Sequence, residues 1–224
     1  MTCILVAHLG SEVVVAADKR AVQYKADGTL TVACDDVQKI VRTGVGVITG
    51  AGMVEMLDPV KSALKGVNFG DPFDVLDLIQ AARRRYSEVH SDSSRLDEDL
   101  RKTSWVFTFV DVDSKGQAVT RVAYYLQSHN ADSLRELGSG FVICMPGGFT
   151  CEQADEVRNQ LQEVVTSSLN TNPYEQAKQE IIKHMLYLMN EVAETSISVS
   201  RVCDIAVVNG AIADIWLNVS SDDA

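Results

Sequence analysis

Two pairs of amphipathic helices are set between three blocks of short apolar strands, and that order restricts the fold more than any single motif. The first fifty residues read as strands. Cys3 to Leu9 and Glu12 to Ala17 flank Gly10-Ser11, a hairpin signal. Val22–Lys25 and Leu30–Ala33 flank a second turn at Asp27-Gly28, and Val37–Val41 and Val45–Ile48 follow around Thr43-Gly44. A helical block opens at Met53 and contains Pro59, which bends it or delays its start. Asp71-Pro72 begins a second helix as N-cap and first helical residue, with Phe73, Leu76, Ile79, Ala82 and Tyr86 as its apolar stripe.

Ser91 to Lys102 is polar and mixed in charge and reads as an exposed loop. Trp105–Val112 and Ala118–Leu126 read as strands paired across Asp113–Gly116, and Phe141–Met145 as another. Thr150 with Gln153 matches a capping box ahead of the stripe Ala154, Val157, Leu161 and Val164. Asn172-Pro173 starts the fourth helix, with Tyr174, Ala177, Ile181, Met185 and Leu188 on one face. Ile197–Val199, Val202–Val208 and Ile212–Val219 close the chain as strands.

Neither helix pair alone covers a sheet on both faces. The expected class is therefore α+β: a four-layer α-β-β-α sandwich, with two stacked antiparallel sheets flanked by helix pairs. Residues 1–224 would form one domain.

Thirty-one acidic against 20 basic side chains give a formal net charge of -11, which argues against nucleic acid and against an anionic membrane as partners. No apolar run approaches the roughly 18 residues of a membrane span, and no signal-peptide pattern opens the chain. The five cysteines (Cys3, Cys34, Cys144, Cys151, Cys203) show no C-x-x-C spacing, so a reduced cytoplasmic setting is expected. The histidines (His8, His90, His129, His184) are scattered, and neither metal nor cofactor is expected.

Four features bear on chemistry. Thr2 becomes the first residue once Met1 is removed, and an N-terminal threonine supplies both a nucleophilic hydroxyl and its own amine as base. Asp18 ends the second apolar strand, where it either orients a cation beside the nucleophile or pairs with Lys19 or Arg20 at the surface. Lys39 alternates with Val37 and Val41; on an apolar strand face it needs a partner, for which Asp18 is the candidate, and otherwise it is an edge-strand charge. Gly50 and Gly52 join a strand to a helix, where glycine either lets backbone N–H groups approach a substrate oxygen or simply makes the turn.

Together these features resemble the proteasome β-type family of N-terminal-nucleophile (Ntn) hydrolases: Thr2 and Asp18 sixteen residues apart, Lys39-Ile40, then Thr49-Gly50 before the first long helix. With no extra segment ahead of Thr2, the resemblance leans to the bacterial branch, HslV and its relatives. It implies Thr2 as nucleophile, Asp18 and Lys39 as charged support, Gly50 as oxyanion donor with Gly52 competing, and Ser200 in an accessory role. Ala21, Val22, Val37, Val41 and Ile48 would form an apolar specificity pocket.

The implied activity is threonine-type endopeptidase cleavage of peptides or unfolded proteins inside a homo-oligomeric double ring, with or without an unfoldase. The segment from Asp18 to Lys39 is longer than the family's. Gly138-Ser139-Gly140 matches its Gly-Ser-Gly in letters, whereas Met145–Gly148 has the matching context. Ile197 stands where an acid precedes the serine. A scaffold that kept the fold without activity and a small-molecule Ntn amidase are the alternatives. Arg83-Arg84-Arg85, Asp97-Glu98-Asp99 and Asp222-Asp223 read as solvated charge, or for the arginines a subunit contact, and Cys3 as a core residue.

Overall fold

The computed structural model describes residues 2–25, 28–127 and 133–221. Met1, Asp27 of the second turn, His129 and Asp222-Asp223 lie outside the described residues. Contacts divide the chain into two compact units: residues 1–40, 138–207 and 214–224, and residues 41–137 and 208–213.

The first unit carries β1 (Ile4–His8), β2 (Glu12–Asp18), β10 (Val142–Met145), β11 (Cys203–Asn209) and β12 (Ile212–Val219), in the sheet order β10-β1-β2-β11-β12. The last two strands meet at a tip, residues 208–213, that clusters with the second unit. The β1–β2 register places Ile4 opposite Ala17 and His8 opposite Val13. On one face Cys3, Leu5, Ala7, Leu9, Val14 and Ala16 join a core with Leu161 of α4 (Cys151–Thr171) and Ile181 and Met185 of α5 (Tyr174–Thr195). Ile4, Val6, Val13 and Val15 on the other face are buried as well, as unbroken apolar runs require. β3 (Ala21–Tyr24) and β4 (Leu30–Cys34) form a separate two-stranded sheet.

The capping box that opens α4 forms: Gln153 N–H donates to Thr150 Oγ1, and Thr150 N–H donates to Gln153 Oε1. Two N–H groups without helical partners are thereby satisfied. Thr150→Ala is expected to cost about 1 kcal/mol, read as a lower urea midpoint at unchanged slope.

In the second unit β5 (Val41–Arg42), β6 (Val47–Ala51), β7 (Ser104–Val112), β8 (Ala118–Tyr125) and β9 (Arg135–Glu136) form a sheet in that order. Its core joins Ile48, Trp105, Phe107 and Tyr125 to Met56 and Val60 of α1 (Val54–Leu64) and Ile79 and Tyr86 of α2 (Pro72–Val89). Asp71 caps α2 as expected, accepting from Phe73 N–H at 2.8 Å, but Phe73 itself is exposed.

The expected four-layer sandwich of two sheets and four helices is overturned: the described residues form three antiparallel sheets and five helices, an α+β fold. The third sheet is the β3–β4 hairpin, whose two strands were expected but which stands apart from both five-stranded sheets. The fifth helix is α3 (Leu96–Lys102), in the segment expected to be an exposed loop. Its charge pattern concealed buried partners. Tyr86 Oη donates to Asp99 Oδ2 at 2.9 Å, and Arg83 Nη1 donates to the Leu100 carbonyl at 2.7 Å. Asp99 and Arg83 are therefore buried rather than solvated, and Arg83 also stacks over Tyr125. Burial and the Asp99 bond push the Tyr86 phenol up to about 12.

Two strand expectations also differ. Residues 36–40 form no strand, and Ile197–Val199 is a turn with Ile197 exposed. Val37 N–H instead donates to the Lys19 carbonyl at 3.1 Å.

Candidate functional site

An antiparallel hairpin fixes which residues meet at its open end. With Ile4 opposite Ala17, the next pair outward is Cys3 and Asp18, and each bonds the other: Cys3 N–H donates to Asp18 Oδ1 at 2.8 Å, and Asp18 N–H donates to the Cys3 carbonyl at 3.1 Å. The Cys3 amide is the peptide link to Thr2. The Thr2 Cα therefore lies within about 5 Å of the Asp18 carboxylate. Thr2 is 7% exposed.

Asp18 is fully buried, and both of its oxygens are used. Oδ1 also accepts from Lys39 Nζ at 2.7 Å. Oδ2 accepts from Arg20 N–H at 2.9 Å and Ser200 N–H at 3.2 Å. Four donors on one carboxylate offset much of what burial costs a charge. Lys39 Nζ donates in addition to the Arg20 carbonyl at 2.7 Å. Burial pulls the Lys39 ammonium below its ordinary range, against the attraction of Asp18.

Ser200 joins this cluster through its backbone. Its hydroxyl accepts from Lys19 N–H at 2.9 Å and donates to the Val202 carbonyl at 2.6 Å. Arg20 forks onto Asp35, with Nε to Oδ1 at 2.6 Å and Nη2 to Oδ2 at 2.9 Å, and this bond holds the Asp35 carboxyl below its usual range. Nη1 reaches the Ile197 carbonyl at 3.2 Å.

Of the residues singled out in the sequence, the first unit thus brings together the Thr2–Cys3 peptide, Asp18, Lys39 and Ser200. Ala21 and Val22 are half-buried in β3, and Val37 is half-buried beside Lys19. Gly50, Gly52, Val41 and Ile48 belong to the second unit. Ile48 is fully buried in its core. A Cβ at Gly50 would stand 2.6 Å from both Ser104 O and Leu57 Cδ2; Gly52 has φ +124°, and a Cβ there would meet Thr103 Oγ1 at 2.4 Å. Packing within that unit is reason enough for both glycines.

Burial drives the Cys3 thiol well above its ordinary range, with Asp18 adding to the effect, so the residue after Thr2 is an inert core thiol. Gly138-Ser139-Gly140 lies against the β1–β2 turn, at the opposite end of β1 from Thr2, where Gly140 N–H donates to the His8 carbonyl at 2.7 Å. Among the described residues no group of three or more His, Cys, Asp or Glu is placed to hold a metal ion. No helix among them is long and apolar enough to cross a membrane.

Sequence reasoning missed a second buried ion pair: Lys19 Nζ lies 3.3 Å from Asp204 Oδ1, at side-chain exposures of 7% and 0%. The signal was an aspartate inside the apolar run Val202–Val208, where an unpartnered charge is rare.

No protein-family model matches the chain, and no curated protein matches it in sequence. Among solved structures, the chain is similar in fold to the Anbu (Gly-1) mutant from Hyphomicrobium sp. strain MC1, at TM-score 0.61 and 15% identity, covering 100% of this chain and 89% of that one. Such a likeness establishes the fold alone.

The expected tie to the proteasome β-type family, closest to HslV, is overturned: nothing in the sequence comparisons supports it, and the structural likeness is to Anbu. The physical reason is that the Thr2–Asp18 spacing follows from the length of one hairpin. Any hairpin of that register would show it.

Proposed function

We propose that this chain is a threonine-type peptidase whose nucleophile is Thr2 after removal of Met1. One observation carries the reading: the peptide group of Thr2 sits on a buried carboxylate that also holds a buried lysine, at 2.8 and 2.7 Å. The neighbouring Lys39 charge favours the neutral form of the freed Thr2 amine, which can then act as base.

Thr2 Oγ adds to the carbonyl carbon of a substrate amide as its proton passes to the Thr2 amine. The amine gives that proton to the leaving nitrogen as the C–N bond breaks. Water then opens the ester on Oγ, and its proton returns through the amine to the hydroxyl. Ala21, Val22 and Val37 offer apolar contacts to the substrate. A homo-oligomeric assembly in the cytoplasm, with peptides or unfolded proteins as substrates, belongs to the same reading.

A scaffold without activity is the second reading. It is favoured by Ser200, whose hydroxyl is spent on Val202 O. Incubation with a peptide epoxyketone, which bonds amine and hydroxyl of one residue together, separates the two by intact mass. The peptidase gains one inhibitor per chain on Thr2; a processed chain that gains none is the scaffold.

A further inference from the structure

We propose that the Lys19–Asp204 ion pair is a positioning device for the Asp18–Lys39 couple; its link to catalysis rests on the peptidase reading above. Asp204 is fully buried in β11, and its Oδ1 accepts from Lys19 Nζ at 3.3 Å and from Asn218 N–H at 3.1 Å. Among the described residues its Oδ2 has no hydrogen-bond partner. Asn218 takes a left-handed conformation, φ +59°, which asparagine tolerates better than other residues with a side chain. A buried, half-satisfied carboxylate is a poor source of stability, since an apolar pair of similar volume would serve as well or better.

What the pair does is visible at Lys19. Its N–H donates to Ser200 Oγ at 2.9 Å, and its carbonyl accepts from Val37 N–H at 3.1 Å. Ser200 supplies an N–H to Asp18, and Val37 is two residues from Lys39, another of its four donors. Two of the segments that hold the Asp18 carboxylate are thus pinned to the backbone of one residue, and Asp204 anchors that residue's side chain. Loss of the anchor frees the Lys19 backbone, and both contacts to Asp18 loosen together.

The test uses Asp204→Asn in the full chain with Met1 removed. Amide hydrogen exchange at Ser200, Val37 and Cys3 is expected to rise about tenfold, with Val6 in the middle of β1 unchanged, because these three amides open locally more readily once the anchor is lost. The maximal rate of Thr2 labelling by the epoxyketone is expected to fall about tenfold while its half-saturating concentration stays the same, since geometry and not binding is altered. Should Asp204→Asn fail to fold, Lys19→Met with Asp204→Leu removes both charges at similar volume and carries the same expectations. Unchanged exchange at the three amides overturns the proposal, as does raised exchange with an unaltered labelling rate. If the wild-type chain takes no label, the peptidase reading falls, and exchange alone decides whether the pair positions Asp18.

Discussion

Thr2→Ala in the chain freed of Met1 abolishes labelling by the peptide epoxyketone and lowers peptide hydrolysis by about a thousandfold or more. The hydroxyl forms the covalent bond, and no neighbouring group replaces it. Cys3, the nearest alternative, is a buried thiol held far above the range in which a thiolate forms. Alanine is small enough to permit removal of Met1, so the variant presents the same amine. Thr2 carries no strand pairing of its own, and loss of its methyl and hydroxyl leaves the hairpin register untouched. Thr2→Ser keeps the hydroxyl and is expected to retain labelling. The measurements are intact mass and hydrolysis of a fluorogenic peptide. Equal hydrolysis by Thr2→Ala and wild type would sink the assignment.

Asp18→Ala has the largest expected effect on stability. The substitution strands the ammonium of buried Lys39 and leaves the N–H groups of Cys3, Arg20 and Ser200 without their acceptor. Breaking a buried pair from one side costs about 3–5 kcal/mol, and urea unfolding at unchanged slope would report it. The double variant Asp18→Leu with Lys39→Met is expected to recover part of that loss, because no uncompensated charge remains. An Asp18→Ala chain as stable as wild type would mean that Lys39 finds another partner, and the couple could not then be the site's organising feature.

Several parts of the site were legible beforehand for local reasons. The hairpin turn at Gly10-Ser11, the two unbroken apolar runs and their lengths determine which residue stands beside Cys3. Asp18 next to the start of the chain follows from counting. Lys39 was singled out by a sound argument from an incorrect premise. It was expected on a strand, yet residues 36–40 form none, and it reaches Asp18 by its length and by the bond from Val37 to Lys19. The resemblance gives Ser200 an accessory role without specifying the atom; its backbone N–H is what touches Asp18, and its hydroxyl donates to the Val202 carbonyl.

The sequence by itself determined four of the five described helices, two of them with their caps at Asp71 and Thr150, most of the strands, and the meeting of Thr2's neighbour with Asp18. These depend on backbone periodicity and on contacts across a single short turn. Tertiary structure alone decided that Lys19 pairs with Asp204, 185 residues away, that α3 forms because Asp99 and Leu100 meet Tyr86 and Arg83, and that three sheets form instead of two. Charge-partner choice at such separations depends on which surfaces exclude water together, and no local pattern of residues records that.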